Sequence, residues 1–321
     1  MTIPKLSVII PCFNVDSYVP FCINSVLSQS LEDIELICID DGSTDSTYFK
    51  LLELSCRDNR IRLFKQQNCG VAETRNKGIK FANGEYLAFM DPDDFYPNEH
   101  CLAHLYNAIK EKQTNAVAGG LILYDHQQQL FHPHYAYDSF YRFQSNSLVY
   151  FDDFQFDYGF QRFLFKREFI LENDLFFPEL CCFEDPVFLV KALSLCGKFA
   201  VVNDVTYAYR HNHKSPVSSI GDSKTEKRIE DLIMGVSNVL EIANERNYIK
   251  LRDLVLTQLR DSIFWILQSP PSPPQISYEN EYKKKYEEIL NSNSWKVTAP
   301  LRKIASIYRR IKNINNYLFK E

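Results

Sequence analysis

Over roughly the first 124 residues, short β-branched runs alternate with stretches whose apolar residues recur every three or four positions. Leu6 to Pro11 (LSVIIP) reads as a buried strand. Val19, Cys22, Ile23, Val26 and Leu27 follow at helical spacing, with Asp16 or Ser17 as the cap and Pro20 in the first turn. Ile34 to Asp40 predicts a second strand, and Ser43 to Cys56 a second helix capped by Ser43 or Thr44. Ile61, Leu63 and Phe64 predict a third strand, Val71 to Ala82 a third helix and Tyr86 to Met90 a fourth strand. A helix over Asn98 to Lys110 and a strand over Ala116 to Tyr124 continue the series. Strands apolar on both faces, alternating with helices, predict an α/β fold with a mostly parallel central sheet.

The pattern then changes. Tyr124 to Phe177 is dense in Phe and Tyr with few helix signals, Phe183 to Leu195 resumes helical spacing, and Val201 to Tyr209 reads as a strand. Thr225 to Gln268 looks helical, Ser269 to Pro274 (SPPSPP) is a stiff linker, and the remainder is a basic helical segment.

Composition narrows the function. The 321 residues, 45% apolar with a net charge of −5, suit a folded enzyme-sized chain and argue against nucleic acid as a partner. From Lys296 to Glu321, however, the chain carries +6, with Leu301, Ile304, Tyr308, Ile311 and Leu318 along one helical face. Such a stripe suits an anionic membrane surface, or a partner helix. Nine cysteines without a C-x-x-C pair predict buried thiols in a reducing compartment. No signal peptide and no apolar run of membrane-spanning length is read, so the expected location is cytoplasmic, peripheral at the inner membrane face.

In an open parallel sheet, ligands bind at the carboxyl ends of the strands. Acids collect there: Asp40 and Asp41 close the second strand, and Asp91, Asp93 and Asp94 follow the fourth. Asp and Pro are common turn residues. Three carboxylates in four residues nevertheless repel unless a cation neutralises them, and Mn²⁺ or Mg²⁺ prefers such oxygens and bridges to phosphates. Neither G-x-G-x-x-G, nor a P-loop, nor G-x-S-x-G occurs.

PCFN at Pro11 to Asn14, IDDGSTD at Ile39 to Asp45, GVAETRNKG at Gly70 to Gly78, FMDPDD at Phe89 to Asp94 and Phe183-Glu184-Asp185 together resemble the family 2 glycosyltransferases of the GT-A fold. The resemblance covers about the first 215 residues. It implies an inverting enzyme that moves a hexose from a nucleotide-diphosphate sugar, usually a UDP-sugar, to a glycan or lipid-linked acceptor of a surface polysaccharide or lipooligosaccharide. Pro11, Phe13, Asn14 and Asp41 would hold the nucleotide, and Arg75 would lie near it. Asp91 and Asp93 would form the D-x-D pair around ribose and metal, with Asp93 and Asp94 as metal-binding acids. The implied organisation is a donor half over 1–120, an acceptor half over 121–215, a helical extension over 216–268 and the linker and tail over 269–321.

Direct displacement needs a base for the acceptor hydroxyl. The resemblance assigns it to Asp185, with Glu184 beside it, although both also suit a helix start. Arg210 and His211 fall where the family carries a diphosphate loop. His132 and His134 have metal-ligand spacing with nothing to complete the set, and read as loop residues. The aromatic excess offers sugar-stacking faces, but most of the Phe residues are expected in the core. Two rivals are a sugar-phosphate nucleotidyltransferase, which should carry a Gly-rich loop where Pro11 to Asn14 stand, and a non-catalytic glycan-binding scaffold of the same fold.

Overall fold

The computed structural model describes residues 3–134, 137–211 and 222–268, the side chains of 222–226 and 263–268 excepted. Met1–Gln268 form one compact unit; the linker and basic tail, Ser269–Glu321, form a second that lies outside the described residues.

The first half follows the periodicity: β1 (Leu6–Cys12), α1 (Val19–Leu27), β2 (Ile34–Asp41), α2 (Thr47–Arg57), β3 (Ile61–Gln66), α3 (Val71–Phe81), β4 (Tyr86–Phe89), α4 (Cys101–Lys112) and β5 (Ala116–Asp125). β1 and β2 are buried at every position, which is why their sequences run apolar rather than alternating. The expected caps differ. α1 starts after Tyr18 without a side-chain cap, and α2 starts at Thr47, whose N–H donates to Asp45 Oδ1 at 2.9 Å. Ser43 and Thr44 instead tie the loop to β1: Ser43 Oγ accepts from Asn14 N at 3.1 Å, and Asn14 Oδ1 accepts from Thr44 N at 2.8 Å.

The aromatic stretch holds more structure than its sequence signals: β6 (Leu130–His132), α5 (Asp138–Tyr141), β7 (Ser147–Tyr150), α6 (Phe151–Phe154), a 3-10 turn (Phe160–Arg162), β8 (Phe163–Lys166) and α7 (Arg167–Glu172). Then come α8 (Glu184–Cys196), β9 (Lys198–His211), α9 (Asp222–Glu245) and α10 (Ile249–Gln268). The sheet order is β3-β2-β1-β4-β8-β5-β9-β7, with β6 on β5. β8 runs antiparallel to both β4 and β5, so β5 and β9 point the same way as β1 to β4. Six carboxyl ends therefore share one edge.

Most rings of the aromatic stretch serve the core. Phe156, Phe160, Phe163 and Phe165 are buried, and Phe177 stacks on Phe188 at 4.1 Å between centroids. Gly78 lets α3 lie against β1, because a Cβ there would sit 2.3 Å from Ile9 Cγ2. All nine cysteines are unpaired, but only Cys12, Cys22, Cys38 and Cys101 are buried. Among the described residues no helix is long and apolar enough to cross a membrane.

Candidate active site

The shared edge gathers Pro11 to Asn14 after β1, Asp40 and Asp41 closing β2, the Asp91 to Asp94 turn after β4, and Arg210 and His211 closing β9. Pro11 is buried in β1, and Phe13 is the one exposed ring of the first segment, 36% accessible. Asn14 adopts φ 51° and stitches β1 to the next loop.

The two acids closing β2 do different work. Asp41 is fastened to the chain: Oδ1 accepts from Gln66 Nε2 at 2.8 Å and Cys69 N at 2.9 Å, and Oδ2 accepts from Gly70 N at 2.9 Å. It builds the turn into α3, where Gly70 supplies φ 90°. The residue expected at the nucleotide thus has both oxygens engaged by the loop before α3. Asp40, fully buried beside Cys12, has no hydrogen-bond partner on either oxygen. An unpartnered buried carboxylate is costly, and it marks Asp40 as the acid with acceptor capacity to spare.

α3 brings Arg75 under the acidic turn. Its Nη2 donates to Asp91 Oδ1 and its Nη1 to Glu184 Oε1, both at 2.8 Å, while the guanidinium lies over Phe160 and Phe177 at 4.7 and 5.2 Å. Burial opposes its charge, yet Asp91, Glu184 and Asp185 hold its pKa above the ordinary range. Asp91 Oδ2 accepts from Gln161 Nε2 at 2.8 Å, a residue no sequence motif marked; the reverse direction of β8 puts the turn before it at this edge.

Asp93 is half-buried and Asp94 fully enclosed. Asp94 Oδ2 accepts from Tyr207 Oη and Oδ1 from Arg210 N, each at 2.7 Å. Both oxygens of this expected metal ligand are thus engaged inside the protein, and its pKa is raised by burial, then by the Asp93 and Asp91 charges. Arg210, expected at a diphosphate, donates from Nε to the Asp93 carbonyl at 2.6 Å and is ringed by Tyr18, Phe21, Phe95 and Tyr124. It clamps the acidic turn from behind. His211 faces another way, its Nε2 2.6 Å from His132 Nε2.

Glu184 and Asp185 open α8, but Phe183 at φ 66° is the N-cap and no side chain caps the helix. Glu184 is buried against Arg75, whereas Asp185 lines a cleft of about 320 Å³ with Tyr158, Cys182, Phe183, Arg228 and Ser262. Burial, then the Glu184 charge, raises the Asp185 pKa above the usual carboxylate range, and Arg75 only partly opposes this.

Residues 7–172, about half of the chain, match the description Glycosyl transferase family 2. The chain belongs to glycosyl transferase family 2. It is similar to the glycosyltransferase GlyG of Streptococcus pneumoniae serotype 4, 30% identical over 228 residues, covering 65% of this chain and 72% of GlyG. The family 2 chain covers 63% of Bacillus subtilis EpsJ and 20% of the pneumococcal GlyA. Its fold is that of S. aureus TarS 1-349 in complex with UDP-GlcNAc, with a TM-score of 0.63 at 21% identity over 88% of this chain and 78% of that one. The mannosyltransferase PcManGT from Pyrobaculum calidifontis in complex with GDP-Man and Mn²⁺ is similar too, with a TM-score of 0.57 at 14% identity over 98% and 85% of the two chains. The GT-A architecture expected from the motifs is the one observed.

Proposed function

We propose that this family 2 glycosyltransferase moves a hexose from a UDP-sugar to a hydroxyl of a surface-glycan acceptor, with inversion and with Asp185 as the general base. The observation that carries this reading is the division of labour at the start of α8. Glu184 is locked to Arg75, which also holds Asp91 at the donor edge, while its neighbour Asp185 faces a cleft wide enough for a sugar. The acceptor oxygen attacks the anomeric carbon opposite the diphosphate, the bond from that carbon to the phosphate oxygen breaks, and the hydroxyl proton passes to Asp185.

On the donor side, Phe13 offers an exposed ring for a base, and Asp40 has unmet acceptor capacity for a base N–H. Burial raises Asp94 first and the Asp93 and Asp91 charges raise it further, a crowding of carboxylates that fits a hard cation. With Asp94 engaged internally, Asp93 would hold Mn²⁺ or Mg²⁺, with Asp91 beside it, and the ion held there would supply positive charge for the leaving diphosphate. A UDP-GlcNAc complex and a GDP-Man and Mn²⁺ complex among proteins of the same fold support a nucleotide-sugar donor and a metal. Arg228 in the acceptor cleft suits an acceptor bearing phosphate or carboxylate, as surface glycans commonly do. The +6 tail would keep the enzyme at the cytoplasmic membrane face, where a lipid-linked acceptor is presented.

The test is a thermal-shift panel of nucleotide sugars with and without Mn²⁺. A donor at a hundredfold excess over its Kd stabilises by about 2.7 kcal/mol. One UDP-hexose should raise the melting temperature only with metal present; a flat panel would remove the donor assignment.

A further inference from the structure

A second group of ligand-type side chains lies on the same sheet, apart from the acids after β4. β5 ends at Asp125, whose parallel partner in β9 is His211, and His132 in β6 pairs with Leu123, two residues before Asp125. Side chains two apart on a strand, and those opposite one another, share a face. Asp125, His132 and His211 therefore project together, and one ligand atom from each lies within 4.8 Å of the others. They are the only such trio of His, Cys, Asp or Glu among the described residues.

The surroundings prepare two of the three groups for ligation. Asp125 is 4% accessible, and its Oδ1 accepts from the N–H groups of Gln127 and Gln128, both at 2.9 Å, which fixes the carboxylate. His132 Nδ1 lies 3.2 Å from the Pro133 carbonyl. A carbonyl only accepts, so a hydrogen bond there requires the Nδ1–H tautomer, in which Nε2 keeps its lone pair, the usual arrangement of a metal-binding imidazole. That Nε2 faces His211 Nε2 at 2.6 Å. Two imidazole nitrogens on one tetrahedral ion at about 2.0–2.1 Å stand about 3.3 Å apart, so a small opening of the pair admits a metal.

We propose that Asp125, His132 and His211 form a transition-metal site, best suited to Zn²⁺, distinct from the carboxylate edge that suits Mn²⁺ or Mg²⁺. Two imidazoles favour Zn²⁺ over hard oxygen-seeking ions, and three protein ligands leave a fourth position for water. The ion would clip the β5–β6 hairpin to the end of β9, one residue beyond the Arg210 that clamps the acidic turn. The site stands independently of the transferase reading.

The test uses the full chain stripped with EDTA, dialysed, titrated with Zn²⁺ against a chromogenic chelator and checked for retained zinc after gel filtration. The parent and Asp93→Asn proteins should each retain one equivalent. His132→Gln and His211→Gln should each bind more weakly by more than the 10–100-fold that loss of an outer-shell partner costs. Far-UV circular dichroism of the metal-free proteins should match the parent, so that a fold defect is not read as a lost ligand. The proposal is overturned if the parent retains no zinc, if both His variants retain it as the parent does, or if Asp93→Asn alone loses it.

Discussion

The roles proposed for the adjacent acids Glu184 and Asp185 should separate under conservative substitution. Asp185→Asn keeps the shape of the cleft wall and removes the proton acceptor, so transfer should fall by about 10²–10⁴-fold, equivalent to about 3–5 kcal/mol of barrier. The folded state holds the Asp185 pKa above its unfolded value, so the ionised form costs stability once pH rises through the unfolded pKa. Replacing it with a neutral amide should therefore leave the melting temperature unchanged or higher. Glu184→Gln does the reverse: it removes one of the two ion pairs of buried Arg75, which keeps Asp91, and the lost charged hydrogen bond costs about 1.5–3 kcal/mol. In a unit of this size, each kcal/mol is about 2–4 °C of melting temperature. Initial rates of nucleotide release with saturating donor, beside melting curves of the three proteins, measure both effects. The parent rate should also fall with acidity at a pH above the ordinary aspartate range, because the base must be ionised. An Asp185→Asn enzyme within tenfold of the parent would refute the assignment; so would a rate loss confined to Glu184→Gln.

Three further outcomes are expected. Asp157 is wholly buried against Gln258, and its pKa is raised from 3.8 to about 6, so its charge costs about 3 kcal/mol above that pH and nothing below 3.8. Asp157→Asn should therefore gain up to that amount in urea unfolding at neutral pH and little at about pH 4; equal effects at both would contradict burial as the cause. Proton NMR of the product from an α-linked UDP-hexose should show a β-glycoside, and an α product would rule out a single displacement. Removing 269–321 should abolish salt-sensitive co-sedimentation with anionic vesicles while sparing transfer to a soluble acceptor; unchanged co-sedimentation would rule out the tail as anchor.

What the sequence disclosed tracks how local each signal is. β1, β2 and β4 are buried on both faces and flanked by helical periodicity, so residues near in sequence announced them. β8 was not legible: four residues, three of them buried, in a segment where every aromatic looks like core. Yet β8 reverses direction within the sheet and delivers Gln161 to Asp91. The motif acids were legible, but the partners each one meets in the fold were not. Arg75 and Glu184 meet across 109 residues, and Asp94 meets Tyr207 across 113. Nothing local distinguishes Asp40, left without partners, from Asp41, fastened to the loop before α3. His132 looked incomplete because its partner is 79 residues away, on a strand brought beside β5 only by the fold.

The role proposed for Asp185 is to take the acceptor proton as the sugar leaves a nucleotide donor held at the acidic edge. Release of UDP from a panel of UDP-hexoses, with acceptor glycans and with Mn²⁺ or EDTA, tests it most directly when parent and Asp185→Asn are run together. The expected result is release from one donor by the parent, lost with EDTA, and at least about 100-fold slower in Asp185→Asn although the donor still binds. Binding of the donor with no release by the parent, or equal release by both proteins, would contradict it.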